Sequence, residues 1–443
     1  MEAGKHLFKK IPAFVIIYIR NHTWLPCGQS KYGSKKHQDM KELTTTLFLC
    51  VPVMDERENI PDFLHTIRRQ NTSKRVVLVF CVNQPHKWWN NPEKKHVCLS
   101  NQKTLKLLSQ EKELSLAVID KATQGWDEKH YGVGWARKKT MDYAAAKAKD
   151  NDILFSMDAD TYYPPDYLEK TANNLLSKPG KNAIAIPYYH PLPADKIAAR
   201  AILRYEIYMR HYALNMWRIK SPYRFTALGS AIALPVWAYR KIGGITPKVA
   251  GEDFYFLQKL RKSGEILYSN PVKAFPQARY SSRVLFGTGP AMLKGSRGDW
   301  NSYPIYHPKL FDEVQQLYKD FERYYETGAK RLPDEKLAPL FPDMQWLDLL
   351  KKNSSTKEQF LKKCHTKFDG LKTVQYLKQK QLHIADKEEE ILKTFLLKYY
   401  PEKAKPCNKI FQELNFENTT IADLNNIRNL MTAIEDQILH QHY

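Results

Sequence analysis

The first half of the chain alternates short apolar runs with stretches of helical spacing. Residues 46–53 form a continuous apolar run, which is typical of a strand buried in a parallel sheet. Residues 60–70 place apolar side chains at helical spacing, and residues 75–82 form a second apolar run. Further strands are predicted at residues 114–119 and from residue 153, each preceded by a helical pattern, at residues 102–110 and 136–149. This alternation predicts an α/β fold with a mixed, mostly parallel sheet sandwiched by helices, and a site beyond the carboxyl ends of the strands.

The second half of the chain loses this regular alternation. Strands are predicted at residues 183–187 and 226–234, and helices at residues 194–219 and 254–262. From residue 308 onward, charged helical patterns dominate and strand signals stop. We therefore predict three parts, namely a basic N-terminal arm (1–43), the α/β domain (44–307) and a helical C-terminal extension (308–443).

Composition and charge narrow the class of protein. The 443 residues are 43% hydrophobic, which is enough for a substantial folded core. The formal net charge is +22, and residues 1–41 carry eight Lys or Arg against two acids. Such a surplus indicates either an anionic partner, such as a nucleotide phosphate or a lipid headgroup, or simply a basic soluble surface. Because no zinc-finger spacing or RNA-recognition signature accompanies the charge, we expect no nucleic-acid partner.

The N-terminal arm and the cysteines bear on location. The longest apolar stretch, residues 11–19, is too short for a bilayer span and contains Pro12, and no clear cleavage site follows it. Residues 8–19 fit either an arm packed on the core or a peripheral helix on the anionic inner face of the cell membrane. The cysteines show no metal-binding or paired spacing, and Cys50 and Cys81 fall in predicted core strands. These features predict a cytoplasmic protein with free thiols.

The predicted strand beginning at residue 153 leads directly into Asp158-Ala-Asp160, a pair of carboxylates one residue apart. Carboxylates just after the end of a buried strand are suited to holding a divalent metal on an incoming diphosphate. The alternative is that the two acids are simply solvent-exposed residues of a loop. Gly132 and Gly134 precede Arg137 and Lys138 at a predicted helix start. The N-terminus of such a helix favours binding of an anion; the alternative is that the two glycines only form a turn before the helix.

Four blocks in order resemble the family 2 glycosyltransferases of the nucleotide-diphospho-sugar transferase (GT-A, Rossmann-like) fold. The blocks are Val51-Pro-Val-Met-Asp-Glu-Arg-Glu-Asn59, Gly132-Val-Gly-Trp-Ala-Arg-Lys138, Asp158-Ala-Asp160 and Gly243-Gly-Ile followed by Gly251-Glu-Asp253. The resemblance spans roughly residues 44–290. Two positions depart from the family pattern. Asn83 stands where many members carry an acid that reads the base, and Gln277-Ala-Arg-Tyr280 replaces the Gln-x-x-Arg-Trp of processive synthases.

The resemblance implies a role for each block. Asp253 would act as the catalytic base that deprotonates the acceptor, with Glu252 orienting it; the alternative is that both acids only favour the start of a helix. Mn²⁺ or Mg²⁺ would be held by Asp158 and Asp160, with His307 as a further candidate ligand. The donor-binding residues implied are Pro52, Val53, Asp55, Glu56, Asn83, Gly134, Arg137, Lys138, Asp158, Ala159, Arg279 and Arg283.

The resulting expectation is a metal-dependent, inverting glycosyltransferase. It would move a sugar from a nucleotide-sugar donor to a hydroxyl of a carbohydrate or lipid-linked acceptor, in cell-surface glycan or glycolipid synthesis. Two alternatives remain open at this point. One is a nucleotidyltransferase of the same fold, although residues 54–59 lack the Gly-rich basic loop that it needs. The other is a non-catalytic protein that binds a nucleotide sugar or an anionic membrane.

Overall fold

The computed structural model describes residues 17–19, 45–127, 130–249, 251–281, 287–328, 340–341 and 345–441. Contacts between Cα atoms divide the chain into two compact units. The first unit takes the described residues of 1–179, 229–253 and 271–276, and the second takes those of 180–228, 254–270 and 277–443.

The strands, in chain order, are β1 (Ile17–Ile19), β2 (Thr46–Val53), β3 (Arg75–Pro85), β4 (Leu116–Trp126), β5 (Ile153–Ser156), β6 (Thr161–Tyr162), β7 (Ala183–Ala185), β8 (Ile232–Pro235), β9 (Ile266–Leu267) and β10 (Phe275–Pro276). In the first unit the main sheet runs in the order β1-β4-β3-β2-β5-β8. Strands β4, β3, β2 and β5 are mutually parallel, while β1 and β8 pair antiparallel. A separate antiparallel pair joins β6 to β10.

The helices are α1 (Ile60–Arg68), α2 (Lys95–Gln110), α3 (Val133–Lys147), α4 (Tyr167–Leu176), α5 (Lys196–Arg218), α6 (Val236–Lys241), α7 (Glu252–Ser263), α8 (Thr288–Gly295), α9 (Pro308–Thr327), α10 (Trp346–Lys352), α11 (Lys357–Lys367), α12 (Gly370–Gln381), α13 (Glu388–Tyr399), α14 (Pro401–Ala404), α15 (Asn408–Gln412) and α16 (Ile421–Gln441). The predicted α/β class, with a mostly parallel sheet, flanking helices and a helical C-terminal region, is confirmed. The domain boundaries at residues 44 and 308 stay predictions.

The first unit is built on an apolar sheet whose central strands have almost no exposed surface. In β2, Leu47, Leu49 and Val51 have no exposed surface, and their strand packs against α3. Because β2 connects to β3 in one direction along the sheet and β4 connects to β5 in the other, right-handed crossovers place α1 and α3 on opposite faces. The parallel strands therefore end at one edge, to which β2, β3 and β5 all contribute.

Some boundaries differ from the sequence prediction. Strand β4 continues to Trp126, well past the predicted end at residue 119. Its backbone pairs with β3 as far as Lys121 opposite Asn83 and, after a break in register, again at Trp126 opposite Pro85, even though most side chains there are polar. Helix α3 begins at Val133 rather than residue 136. It directly follows Gly132, whose φ of 96° is a backbone conformation that glycine adopts readily. Apolar periodicity detects the core but not the paired polar ends of strands.

The second unit is mainly helical. Strands β7 and β9 pair in parallel, and the long helix α5 packs along α16. Their shared core draws on α5, α13 and α16, and includes Leu203, Ile207, Leu392, Phe395 and Ile427. No helix in the described part of the chain is both long and apolar enough to cross a membrane. The described cysteines, Cys50, Cys81, Cys98, Cys364 and Cys407, are buried free thiols, and Cys27 lies outside the described residues.

A buried ionic network ties α16 to α5 inside the second unit. Glu206 has no exposed side-chain surface and accepts hydrogen bonds from Arg210 (3.1 Å to its Nε) and Arg428 (3.3 Å). Arg428 also donates to the backbone oxygen of His190 at 2.7 Å, and Arg210 pairs with Glu435. Opposite charges outweigh the burial that would otherwise raise the carboxyl pKa of Glu206, so that pKa lies below its usual value. The C-terminal helix is thus a structural part of this unit.

The aromatic stripe of α5 packs within this same unit. Tyr205 lies edge-on to Tyr303, with ring centroids 5.1 Å apart, and Tyr212 lies edge-on to Phe311 at 5.9 Å. These contacts favour a role in core packing for the stripe over a ligand-stacking surface. Helix α5 therefore needs its tyrosines for its own packing.

His211 gives the second unit a predicted dependence on pH. Burial, together with Arg204 and Arg218, lowers the pKa of His211 to about 3. Below about pH 6.5 His211 binds a proton in the unfolded chain but not in the folded protein. The free energy of unfolding therefore falls by about 1.4 kcal/mol per pH unit as the pH is lowered. Between pH 6.5 and 5, urea denaturation should show the wild type losing about 2 kcal/mol more than His211→Gln. The exposed His383, changed in the same way, should leave the wild-type slope intact; equal slopes in all three proteins would contradict this account.

Candidate active site

Arg137 is the centre of the candidate site in the first unit. Its guanidinium is almost fully buried, and its nitrogens donate to four groups on three segments. Nη2 lies 3.0 Å from Asp158 Oδ1, and Nε lies 3.0 Å from Glu252 Oε1. Nη1 lies 2.7 Å from Ser156 Oγ and 3.0 Å from the backbone oxygen of Gly229. One side chain on α3 therefore brings together the Asp158-Ala-Asp160 block and the Glu252-Asp253 block.

The electrostatics of this cluster are dominated by carboxylates. Burial disfavours the charged guanidinium, but Asp158 and Glu252, with Asp253 beyond them, outweigh it and raise the pKa of Arg137. The single positive charge thus faces three carboxylates that act on it. Glu252 is itself 4% exposed, whereas the side chain of Asp158 is 33% exposed. Asp158 is the member of this pair that solvent or a ligand can reach.

Glycines set the close approach that makes the cluster possible. A Cβ on Gly134 would lie 2.2 Å from the backbone oxygen of Lys248, so no larger residue fits there without moving the backbone. A Cβ on Gly229 would lie 2.4 Å from Arg137 Nη2. Gly251, with φ of 71°, turns the chain into α7, whose first two residues are Glu252 and Asp253. Acids in a first helical turn are also favoured by the helix dipole.

The Asp158-Ala-Asp160 loop is held from behind by Tyr163. The Tyr163 hydroxyl accepts a hydrogen bond from the Asp158 backbone N–H at 3.1 Å and donates to the Ser230 backbone oxygen at 3.0 Å. Its ring has no exposed surface, and burial raises the pKa of its phenol, which keeps the hydroxyl able to donate. Ala159 is buried, while Asp160 is partly exposed between β5 and β6. The loop backbone is therefore fixed independently of any ligand.

The ends of β2 and β3 meet at the same edge. Asp55 has φ of 58°, a conformation that few non-glycine residues adopt, and its N–H donates to Asn101 Oδ1 at 2.8 Å. Asn83 donates to the backbone oxygen of Val53 at 2.9 Å, which fixes its side-chain oxygen as an acceptor. Within the described residues that oxygen is buried without a hydrogen-bond partner. Glu56 is buried and accepts from Asn59, and Pro52, like Val53, is buried in β2.

Other predicted residues lie elsewhere or make other contacts. Lys138 pairs with Asp142 one turn along α3, at 2.8 Å. His307 caps the start of α9, where its Nδ1 accepts from the Lys309 N–H, and it belongs to the second unit, as does Arg279. Arg283 lies outside the described residues. The roles suggested for these four side chains stay predictions.

The metal prediction rests on the chemistry of the Asp158-Ala-Asp160 block. Across the described parts of the chain, no three His, Cys, Asp or Glu side chains gather into a ready-made metal site. Mg²⁺ and Mn²⁺ on nucleotides, however, commonly use one or two carboxylates, with phosphate oxygens and water completing the shell. Two carboxylates at the end of β5, in a cluster where three acids face one guanidinium, fit such a cation.

Three positioning groups were missed by the sequence analysis. Ser156, Gly229 and Tyr163 touch Arg137 or the Asp158 backbone, yet they look like ordinary core residues in the sequence. A partial signal exists for Gly229, because it lies in the small-residue run 226–234. Ser156 acts through a contact distant in sequence and Tyr163 through a backbone N–H, so the sequence offers no pattern for finding these two.

Part of this chain is similar to a known protein family. Residues 153–317 match the family model described as glycosyl transferase family group 2. No curated protein matches the sequence significantly. Two solved structures are similar over most of their length: TarS of S. aureus (residues 1–349), and the mannosyltransferase PcManGT from Pyrobaculum calidifontis in complex with GDP-Man and Mn²⁺.

The likeness to both structures is low. TarS is 12% identical, with 89% of this chain and 92% of that chain covered and a TM-score of 0.34. PcManGT is 13% identical, with 92% of this chain and 91% of that chain covered and a TM-score of 0.35. At these scores neither likeness supports a conclusion about chemistry.

Proposed function

Because residues 153–317 match the model of glycosyl transferase family group 2, we propose that this protein is a metal-dependent glycosyltransferase that uses a nucleotide-diphosphate sugar and inverts the anomeric centre. One observation carries the proposal. Arg137 binds Asp158 and Glu252 through two nitrogens of one buried guanidinium, which brings the candidate metal block and the candidate base block to one point. A protein that only needed a stable core would gain little from this arrangement, since buried ion pairs are weak sources of stability.

The donor would bind across the carboxyl edge of the sheet. The loop after β2, with Asp55, and the end of β3, with Asn83, would hold the nucleoside through hydrogen bonds. Asp158 and Asp160 would hold Mn²⁺ or Mg²⁺, which offsets the charge that develops on the departing diphosphate. The unpartnered side-chain oxygen of Asn83 supports a ligand N–H at this edge.

Asp253 would remove the proton from the acceptor hydroxyl. It is the second residue of α7 and acts electrostatically on Arg137, so it lies close to the cluster. A general base contributes about 10²- to 10⁴-fold to the rate when it reaches the hydroxyl proton. Attack on the face opposite the diphosphate would invert the configuration at the anomeric carbon.

Arg137 and Glu252 would act as positioning residues. Both are buried, and their partners are protein groups, so they set the relative placement of Asp158 and Asp253 rather than touching substrate. The acceptor would be a carbohydrate or a lipid-linked hydroxyl in surface glycan or glycolipid synthesis. We further propose that the basic chain contacts an anionic membrane peripherally, in line with its net charge of +22.

A donor panel tests the proposed reaction. The full-length protein with Mn²⁺ is incubated with UDP-, GDP-, CMP- and dTDP-sugars, and release of nucleoside diphosphate or monophosphate is followed, since many transferases slowly hydrolyse their donor when no acceptor is present. We expect release from one donor class and its loss in Asp253→Asn. Release that persists in this variant would remove the base role, and release of sugar 1-phosphate from an NDP-sugar, with transfer of its nucleotidyl group, would favour the nucleotidyltransferase alternative.

A further inference from the structure

An aromatic corner lies at the end of β4 in the first unit. Trp126 closes β4, and Trp135 stands in the first turn of α3, with their ring centroids 6.5 Å apart. The ring of His130 meets Trp135 edge-on, with centroids 4.6 Å apart. Asp127 accepts from the His130 backbone N–H at 2.7 Å and from its Nδ1 at 2.9 Å. The four side chains form a fixed group, which we call the β4 corner.

The β4 corner carries unused hydrogen-bonding capacity. The indole N–H of Trp126 is buried, and it has no partner in the part of the chain that the structure describes. Burial without a partner is costly, so such a group calls for an acceptor. Because a carboxylate can only accept, His130 donates from Nδ1, and its Nε2 is then an acceptor while the ring is neutral. Trp135 is half-buried, so part of its ring surface is open.

Strand pairing places this corner at the carboxyl edge of the sheet, where the donor would bind. The register of β3 and β4 sets Pro85 opposite Trp126, two residues beyond Asn83. Parallel strands lie about 4.8 Å apart, so the corner borders the end of β3 on the side away from β2 and Asp55. Three neighbouring strand ends, those of β2, β3 and β4, thus offer a loop, an amide oxygen and an aromatic wall along one edge.

We propose that the β4 corner is the wall against which the donor's nucleobase lies, with Trp135 as its specificity-determining surface. This inference rests on the proposed donor site. A flat heteroaromatic ring stacks on an exposed aromatic face, and it presents both N–H and acceptor atoms that match His130 Nε2, Asn83 Oδ1 and the Trp126 N–H.

The test separates the base from the diphosphate. Binding of UDP, GDP, CDP, ADP and inorganic pyrophosphate, each with Mn²⁺, is measured by titration calorimetry on wild type, Trp135→Ala, Trp135→Phe and His130→Gln. We expect Trp135→Ala to weaken the preferred nucleoside diphosphate by about 10- to 100-fold, with pyrophosphate affinity unchanged and with Trp135→Phe restoring most of the loss. His130→Gln should reduce the differences in affinity among the four nucleoside diphosphates.

A control variant and the pattern of binding losses separate failure of the nucleobase wall from failure of the proposed function. Trp237, a half-buried tryptophan on α6 with Lys241 over its ring, is the control, and Trp237→Ala should bind every probe as wild type does. An equal loss of nucleotide and pyrophosphate affinity, or no loss in Trp135→Ala, overturns the nucleobase wall while leaving the donor site standing. If the wild type binds neither nucleotides nor pyrophosphate, the proposed function itself fails.

Discussion

Replacing Arg137 by methionine is expected to cost about 3–5 kcal/mol of unfolding free energy and to abolish transfer. The substitution keeps much of the side-chain volume but leaves Glu252, which is 4% exposed, with its carboxylate buried and deprived of its cation. It also releases Asp158, Ser156 and the Gly229 backbone oxygen from one shared donor. Urea denaturation of purified protein measures the loss of stability, and the donor-release assay measures the loss of activity.

The control for this prediction is another arginine of the first unit. Arg240 on α6 pairs with Asp150, but both side chains are largely exposed, at 44% and 66%. Exposed pairs contribute little, so Arg240→Met should cost about 1 kcal/mol and leave activity intact. Adding Glu252→Gln to Arg137→Met should recover part of the lost stability, because the stranded charge is then gone. Equal costs for the two arginine variants would mean that the Arg137 cluster has no special role.

The second large effect is expected at Asp253. Asp253→Asn preserves the size of the side chain and one of its acceptor oxygens but removes the basic carboxylate, so kcat should fall by about 10²- to 10⁴-fold with donor affinity unchanged. A purely helix-favouring role predicts something else, namely a loss of about 0.3–1 kcal/mol in stability and a normal kcat. Steady-state kinetics combined with calorimetric donor binding separates these two outcomes.

Asp62 provides the matched control for Asp253. It is an exposed acid in the first turn of α1, in the same unit, so Asp62→Asn carries the same helix-dipole cost without approaching the cluster. We expect its kinetics to equal those of the wild type. If Asp253→Asn turns over as fast as Asp62→Asn, the base lies elsewhere, and Glu252 would need to be reconsidered.

The sheet was largely predictable because its signal is local. Residues 46–53 are a continuous apolar run, and the structure forms β2 over that same range, with the α1 pattern following as expected. The end of β4 at Trp126 was not predictable, because its last residues are held by backbone pairing with β3 and not by apolar side chains. The antiparallel strand β1 was missed for a similar reason, since it depends on pairing with distant residues of β4.

The candidate site was predictable in its residue types but not in its connections. Asp158, Glu252 and Arg137 were each identified from short motifs, yet nothing in the sequence indicates that one guanidinium joins them. Tyr163 was missed because its role is a hydrogen bond to the Asp158 backbone, and backbone partners leave no trace in side-chain pattern. Trp126 and Trp135 were missed because neither belongs to a periodic stripe, and their proximity arises only when β4 and α3 meet.

Calorimetric donor binding with and without a divalent cation tests the proposed metal site at the end of β5 most directly. Wild type and Asp160→Asn are titrated with the sugar nucleotide identified by the donor panel, first with Mn²⁺ and then with EDTA. We expect wild type to bind the donor with Mn²⁺ and to lose that binding in EDTA. Asp160→Asn should not bind the donor, while its melting temperature without ligand stays at the wild-type value. Binding that is equally tight in EDTA, or unchanged in Asp160→Asn, would contradict a metal-dependent donor site at the end of β5.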